Sequence, residues 1–109
     1  MFEFPKFKAA AVQTSPVYLN AKATTDKACG IIEEAAKNGA SLIAFPEVFI
    51  SGYPYWNWVM NPIDGSKWFE RLYKSSIEIT GPEVKKLCQV AKKNNCHVII
   101  GCNERNSKS

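Results

Sequence analysis

Glu47 stands in the run Ala44-Phe45-Pro46-Glu47-Val48-Phe49-Ile50-Ser51-Gly52-Tyr53-Pro54, where a carboxylate leaves the end of an apolar stretch and enters a loop stiffened by prolines. An acid so placed is either a structural anchor that accepts loop hydrogen bonds or a general base that takes a proton from a nucleophile. Partial burial beside Phe45, Phe49 and Tyr53 disfavours the ionised form and tunes the group toward proton transfer, while a neighbouring lysine opposes that tuning. Residue types and spacing leave both roles open.

The same segment is rich in rings. Tyr53 and Trp56 are candidate substrate-pocket residues, with Trp58 and Met60 close behind. The competing reading is a loop packed down by its own aromatic side chains, or a subunit contact. Gln13 reads as a strand-end hydrogen bonder and His97 as a structural histidine on a buried strand. Glu104 and Arg105 are placed to pair, although an exposed pair contributes little. Cys29, Cys88, Cys96 and Cys102 show no C-x-x-C spacing and lie in or beside apolar patterns, as reduced buried thiols do. Neither a metal site nor a disulfide framework is expected.

The elements that must position Glu47 follow from the patterning. Lys8 to Gln13 predicts a short strand ended by Thr14-Ser15-Pro16. Asn20 predicts an N-cap for a helix to about Lys37, with Thr24, Ala28, Ile31, Ile32 and Ala35 as its apolar stripe and Asn38-Gly39 as its stop. Ser41 to Phe45 is a continuous apolar run, the mark of a strand covered on both faces. Ser66 to Ile77 predicts a second helix. Thr80-Gly81-Pro82-Glu83 spells a capping box for a third, with Val84, Leu87, Cys88 and Ala91 as its buried stripe. Cys96 to Gly101 closes the pattern as another buried strand, and the rest runs out in polar residues. Strand, crossover helix, strand implies an α/β fold with a parallel or mixed sheet flanked by helices. Glu47 then falls at the carboxyl edge of that sheet, the usual functional edge of an open α/β fold.

Composition narrows the class. The chain has 109 residues, 46% of them hydrophobic and 22% charged, which is a globular balance. Its formal net charge of +4 comes from scattered lysines that decorate helix faces, so no nucleic-acid surface is expected. No apolar stretch reaches the roughly 18–20 residues needed to cross a bilayer, and the first residues lack the apolar core of a signal peptide. The expected setting is the cytoplasm, without a membrane partner.

Ala11-Val12-Gln13, the Phe45-Pro46-Glu47 turn with Gly52-Tyr53-Pro54 behind it, and Ile99-Ile100-Gly101 followed by Glu104-Arg105 together resemble the N-terminal portion of the nitrilase, or carbon-nitrogen hydrolase, superfamily. The longer Gly-Tyr-Pro-Tyr-Trp stretch is more similar to the true nitrilases and the cyanide-degrading branch than to the amidases. The resemblance covers essentially the whole chain. It implies an αββα half that packs into a four-layer sandwich, a homodimer or spiral homo-oligomer, no cofactor, and a small nitrile as substrate. It implies Glu47 as the general base serving a cysteine nucleophile, with a thioimidate intermediate and a lysine that stabilises developing charge. In the family pattern the cysteine and the lysine lie beyond Ser109, so none of the four cysteines here is the expected nucleophile. Residues 1–109 are accordingly expected to be the N-terminal segment of a single carbon-nitrogen hydrolase domain, incomplete at its C-terminal end and inactive alone. Two further readings stand beside this one: an amidase or carbamoylase on the same fold, and a non-catalytic assembly fragment whose aromatic loop mediates subunit association.

Overall fold

The computed structural model describes residues 3–106 and Lys108. In chain order the elements are β1 (Ala9–Ala11), α1 (Ala21–Lys37), β2 (Leu42–Ala44), a 3₁₀ turn (Tyr55–Trp58), α2 (Ser66–Ser75), α3 (Pro82–Lys93) and β3 (His97–Ile99). The three strands form one sheet in the order β1-β2-β3, and both pairings are parallel. Of the parallel and mixed sheets anticipated, the described residues form the wholly parallel one, because a helical crossover separates each strand from the next.

Register places Ala10, Ile43 and Val98 side by side. Ile43 is fully buried, and the other two are half-buried against a core that includes Ala28 and Ile32 of α1 and Leu87 of α3. Helices α1 and α3 also pack on each other. Burying a side chain such as Ile32 or Ile43 contributes about 1.5–3 kcal/mol, so this layer is where apolar stabilisation concentrates. The alternate residues Ala9, Ala11, His97 and Ile99 are exposed. In β2 itself Leu42 and Ala44 are half-buried, so the second face expected to be covered from the apolar run Ser41–Phe45 is only partly covered within these residues, and His97 is exposed rather than buried.

Local signals account for most boundaries. The Asn20 side chain accepts from the Ala23 N–H at 3.0 Å and caps α1 as its sequence implies. Gly39, at φ +94°, lets the chain leave that helix. For α3 the capping-box reading is corrected: Gly81 is the N-cap and no side chain caps it, while Pro82 opens the first turn. Cys88 is exposed and Val90 packs on the core in its place, since the stripe follows the line of contact with α1.

Pairing outlasts the short strands. The Phe45 N–H donates to the Ile99 carbonyl at 2.8 Å, and the Ile50 N–H donates to that of Gly101 at 3.1 Å. Isolated bridges link Ile50 with Cys102 and Ile77 with Glu104. The residues after β3, which read as a polar run-out, therefore form the support for the loop after β2.

Candidate active site

Beyond Ala44 the backbone turns through Pro46 and Glu47 and reaches Val48 at φ +40°, an unusual region for a β-branched residue. Phe45 and Phe49 flank the turn and are buried, with ring centroids 5.2 Å apart. Glu47 is exposed, so the expected burial beside Phe45, Phe49 and Tyr53 does not occur within this chain, although Phe49 and Tyr53 line the same cleft.

Glu47 fronts a cleft of about 420 Å³ formed where the carboxyl ends of β1 and β2 meet. Gln13, Thr14 and Pro16 come from the β1 side, Pro46, Glu47 and Phe49 from the β2 side, and Tyr18, Tyr53 and Tyr55 form an aromatic wall. The structure thus brings Tyr53 together with Glu47. Trp56 lies elsewhere: it is 6% exposed, stacks on Trp68 at 6.1 Å and meets the edge of Phe69 at 5.4 Å. A side chain at Gly65 would crowd Trp56, with a Cβ 3.0 Å from its Cδ1. Trp58 is 76% exposed. The ring-rich segment therefore splits into a packed tryptophan, an exposed one, and tyrosines that shape the cleft.

Tyr18 is a cleft residue that sequence reasoning missed. Its hydroxyl donates to the Tyr53 carbonyl at 2.5 Å, and burial raises its pKa above the usual phenol value. Its ring lies over Gly52, where a Cβ would stand 2.5 Å from Cδ1. Gly52, at φ +123°, is thus required both by conformation and by space. Tyr18 is itself anchored from α1. The Thr24 hydroxyl donates to the Val17 carbonyl at 2.9 Å and accepts from the Val17 N–H at 3.1 Å. The Leu19 N–H completes the strap by donating to the Ser51 carbonyl at 2.9 Å. The only local hint of this role was an aromatic residue close behind Pro16.

Asn103 is a second residue missed. Its N–H donates to the Ile50 carbonyl at 2.5 Å, its side-chain amide donates to the Gly52 carbonyl at 3.0 Å, and its own carbonyl accepts from the Ile77 N–H at 2.9 Å. Arg105 lies over the Tyr73 ring and donates to the Tyr73 carbonyl at 3.4 Å, rather than pairing with Glu104.

Among the described residues, no cysteine and no lysine lines the Glu47 cleft. Burial raises the pKa of Cys29, Cys96 and Cys102, which keeps them as thiols rather than nucleophilic thiolates. No group of three or more potential metal ligands comes together among the described residues. No helix among them is long and apolar enough to cross a membrane.

The geometry on the chain is thus a carboxylate at the carboxyl edge of a parallel sheet, lining an aromatic cleft. Residues 8–109 match the model of the carbon-nitrogen hydrolase family. The chain belongs to that family. It is 53% identical over 87 residues to a nitrilase of Bacillus sp. (strain OxB-1), an alignment covering 80% of this chain and 26% of that protein. It is 46% identical over 104 residues to an aliphatic nitrilase of Rhodococcus rhodochrous, covering 94% of this chain and 28% of the relative. A cyanide hydratase of Armillaria gallica is 37% identical over 103 residues, covering 94% of this chain and 29% of the hydratase. The chain thus spans between a quarter and a third of the length of these carbon-nitrogen hydrolase relatives.

Proposed function

We propose that this chain contributes the general base, Glu47, to a nitrilase-type hydrolase that converts a small nitrile to a carboxylic acid and ammonia. The observation that carries the reading is the placement of Glu47 on the carboxyl edge of the sheet, before a cleft walled by Tyr18, Tyr53 and Tyr55. The names of the relatives favour nitrile over amide chemistry and give no support to the amidase or carbamoylase reading.

The complete site takes a cysteine and a lysine from chain outside residues 1–109. The Glu47 carboxylate accepts the thiol proton, and the thiolate adds to the nitrile carbon while the nitrogen takes up a proton, giving a thioimidate. Water adds, ammonia leaves through a tetrahedral intermediate, and a second water, deprotonated by Glu47, releases the acid and restores the thiol. The lysine stabilises charge that develops along this path. Glu47 is exposed in this chain, and the segment that brings the thiol also closes over the carboxylate and removes it from bulk water. Tyr53 is a wall of the substrate pocket. Trp56 serves by packing, since it fixes the 3₁₀ turn that follows Tyr53 against α2.

The same reading extends to architecture. The open face bearing Ala11 and Ile99 is the surface on which the second layer of an αββα half packs, and such halves meet in a four-layer homodimer or a longer spiral, in the cytoplasm. Alone, residues 1–109 are inactive, because the cleft lacks its nucleophile.

The test is Glu47→Gln in the full-length hydrolase that contains this segment, following nitrile consumption and ammonia release. The amide is isosteric but cannot accept the proton. Turnover is expected to fall by about 10²–10⁴-fold with the melting temperature unchanged. Retention of parental turnover by Glu47→Gln sinks the general-base reading. Turnover by material with the intact mass of the chain, 12.2 kDa, sinks the requirement for further chain.

A further inference from the structure

Gly101 lies just past β3, directly against the peptide that carries Glu47. A Cβ built on Gly101 stands 2.6 Å from the Val48 nitrogen, 3.3 Å from Val48 Cα and 3.4 Å from the Glu47 carbonyl carbon. All three are backbone atoms, so no change of rotamer relieves the clash. Gly101 is not among the positive-φ residues, so glycine is needed here for space rather than for conformation.

The contact is held from both sides. The Gly101 carbonyl accepts from the Ile50 N–H at 3.1 Å, and Asn103 bonds the Ile50 and Gly52 carbonyls. The Gly52 N–H closes the turn onto the Val48 carbonyl at 2.9 Å. Between these bonds, Val48 is kept at φ +40°, a conformation that a β-branched residue adopts only when its surroundings enforce it.

We propose that Gly101 is a positioning residue for Glu47, its bare Cα setting the depth at which the Glu47–Val48 peptide seats and hence where the carboxylate enters the cleft. The proposal rests on the general-base reading of Glu47. Gly101 touches no substrate; it acts through the peptide. Adding one methyl group displaces the Glu47–Val48 peptide and with it the carboxylate.

The experiment uses the full-length hydrolase and a small aliphatic nitrile, and compares Gly101→Ala, Glu47→Gln and the double variant. Gly101→Ala is expected to lower kcat by about 10²-fold with KM within about twofold, because a misplacement near 1 Å is enough for such a loss. The pH dependence of kcat should shift, since the carboxylate changes surroundings. In the Glu47→Gln background the same substitution should cost almost nothing more, because both changes remove one function. A structural role alone would give additive losses.

Should Gly101→Ala fail to fold, Val48→Gly decides the matter. Glycine is at ease at positive φ, so the melting temperature should hold or rise while the freed loop lowers kcat by about tenfold or more. Parental kcat and pH profile in folded Gly101→Ala, parental kcat in Val48→Gly, or additive losses in the double variant each overturn the proposal while leaving the general-base reading intact. Full turnover by Glu47→Gln overturns both.

Discussion

The layer beneath α1 and α3 and the loop that carries Glu47 are held by contacts of different kinds. In the layer, Ala28, Ile32, Ile43 and Leu87 exclude water from one face of the sheet. In the loop, backbone groups of Phe45, Ile50 and Gly52 meet partners in Ile99, Gly101 and Asn103, and the Tyr18 ring covers Gly52. The first region rests on buried apolar area, whereas the second adds close backbone approach to the apolar contacts of Phe45, Phe49 and Ile50, which continue the same core. Damage to the first should appear as lost stability, and damage to the second as lost turnover.

The largest effect on stability is expected from Ile32→Ala. Ile32 is fully buried between α1 and the sheet, and truncation there leaves a cavity costing about 2–5 kcal/mol. Denaturant unfolding of the full-length hydrolase should show that loss, while kcat per folded molecule stays at the parental value. A drop in kcat without a change in unfolding midpoint would break the comparison, because it would mean that the helix layer transmits to the Glu47 loop.

The two regions also differ in how legible they were. The period of Thr24, Ala28 and Ile32, the Asn20 cap and the Asn38-Gly39 stop placed α1 correctly, since these signals act within a few residues of one another. Glu47 and Tyr53 were legible as a candidate site because an acid in a proline-stiffened turn after an apolar strand is chemically conspicuous, and both line one cleft. Tyr18, Gly101 and Asn103 were not, because their roles depend on which distant segments touch, and no local spacing encodes that. Cys88 was misplaced for a related reason: periodicity shows that a face is apolar but not which neighbour covers it. The same holds for β2, whose apolar run could not reveal that its second face, with Leu42 and Ala44, is only partly covered within these residues.

A middle-sized effect tests the link between Tyr18 and the cleft wall. Tyr18→Phe keeps the ring over Gly52 and removes the hydroxyl that bonds the Tyr53 carbonyl. A single neutral hydrogen bond is worth about 0.5–1.5 kcal/mol, so KM for the nitrile should rise by about two- to tenfold, with the unfolding midpoint little changed. An unchanged KM accompanied by a clear loss of stability would place Tyr18 with the apolar layer rather than with the site.

The smallest effect concerns the charged rim of the layer, where Asp26 of α1 pairs with Lys86 of α3 and, at 3.4 Å, with Lys22. The hydrogen bond from Lys86 holds the Asp26 carboxyl below its ordinary 3.8, and the same bond raises Lys86 above 10.5. The depressed carboxylate stabilises the fold above pH 3.8 and loses that contribution as pH falls through the lower folded value; the raised lysine contributes fully below pH 10.5 and loses its share as pH climbs beyond it. Asp26→Asn should therefore lower the melting temperature slightly at neutral pH. The difference from the parent should shrink toward zero in acid and in about 1 M salt, where exposed charges are screened within a few ångströms. A difference that survives both conditions would mean that Asp26 supports the α1–α3 contact through packing. The rim would then share the character of the apolar layer beneath it, and the boundary between stability and geometry would lie at the Glu47 loop alone.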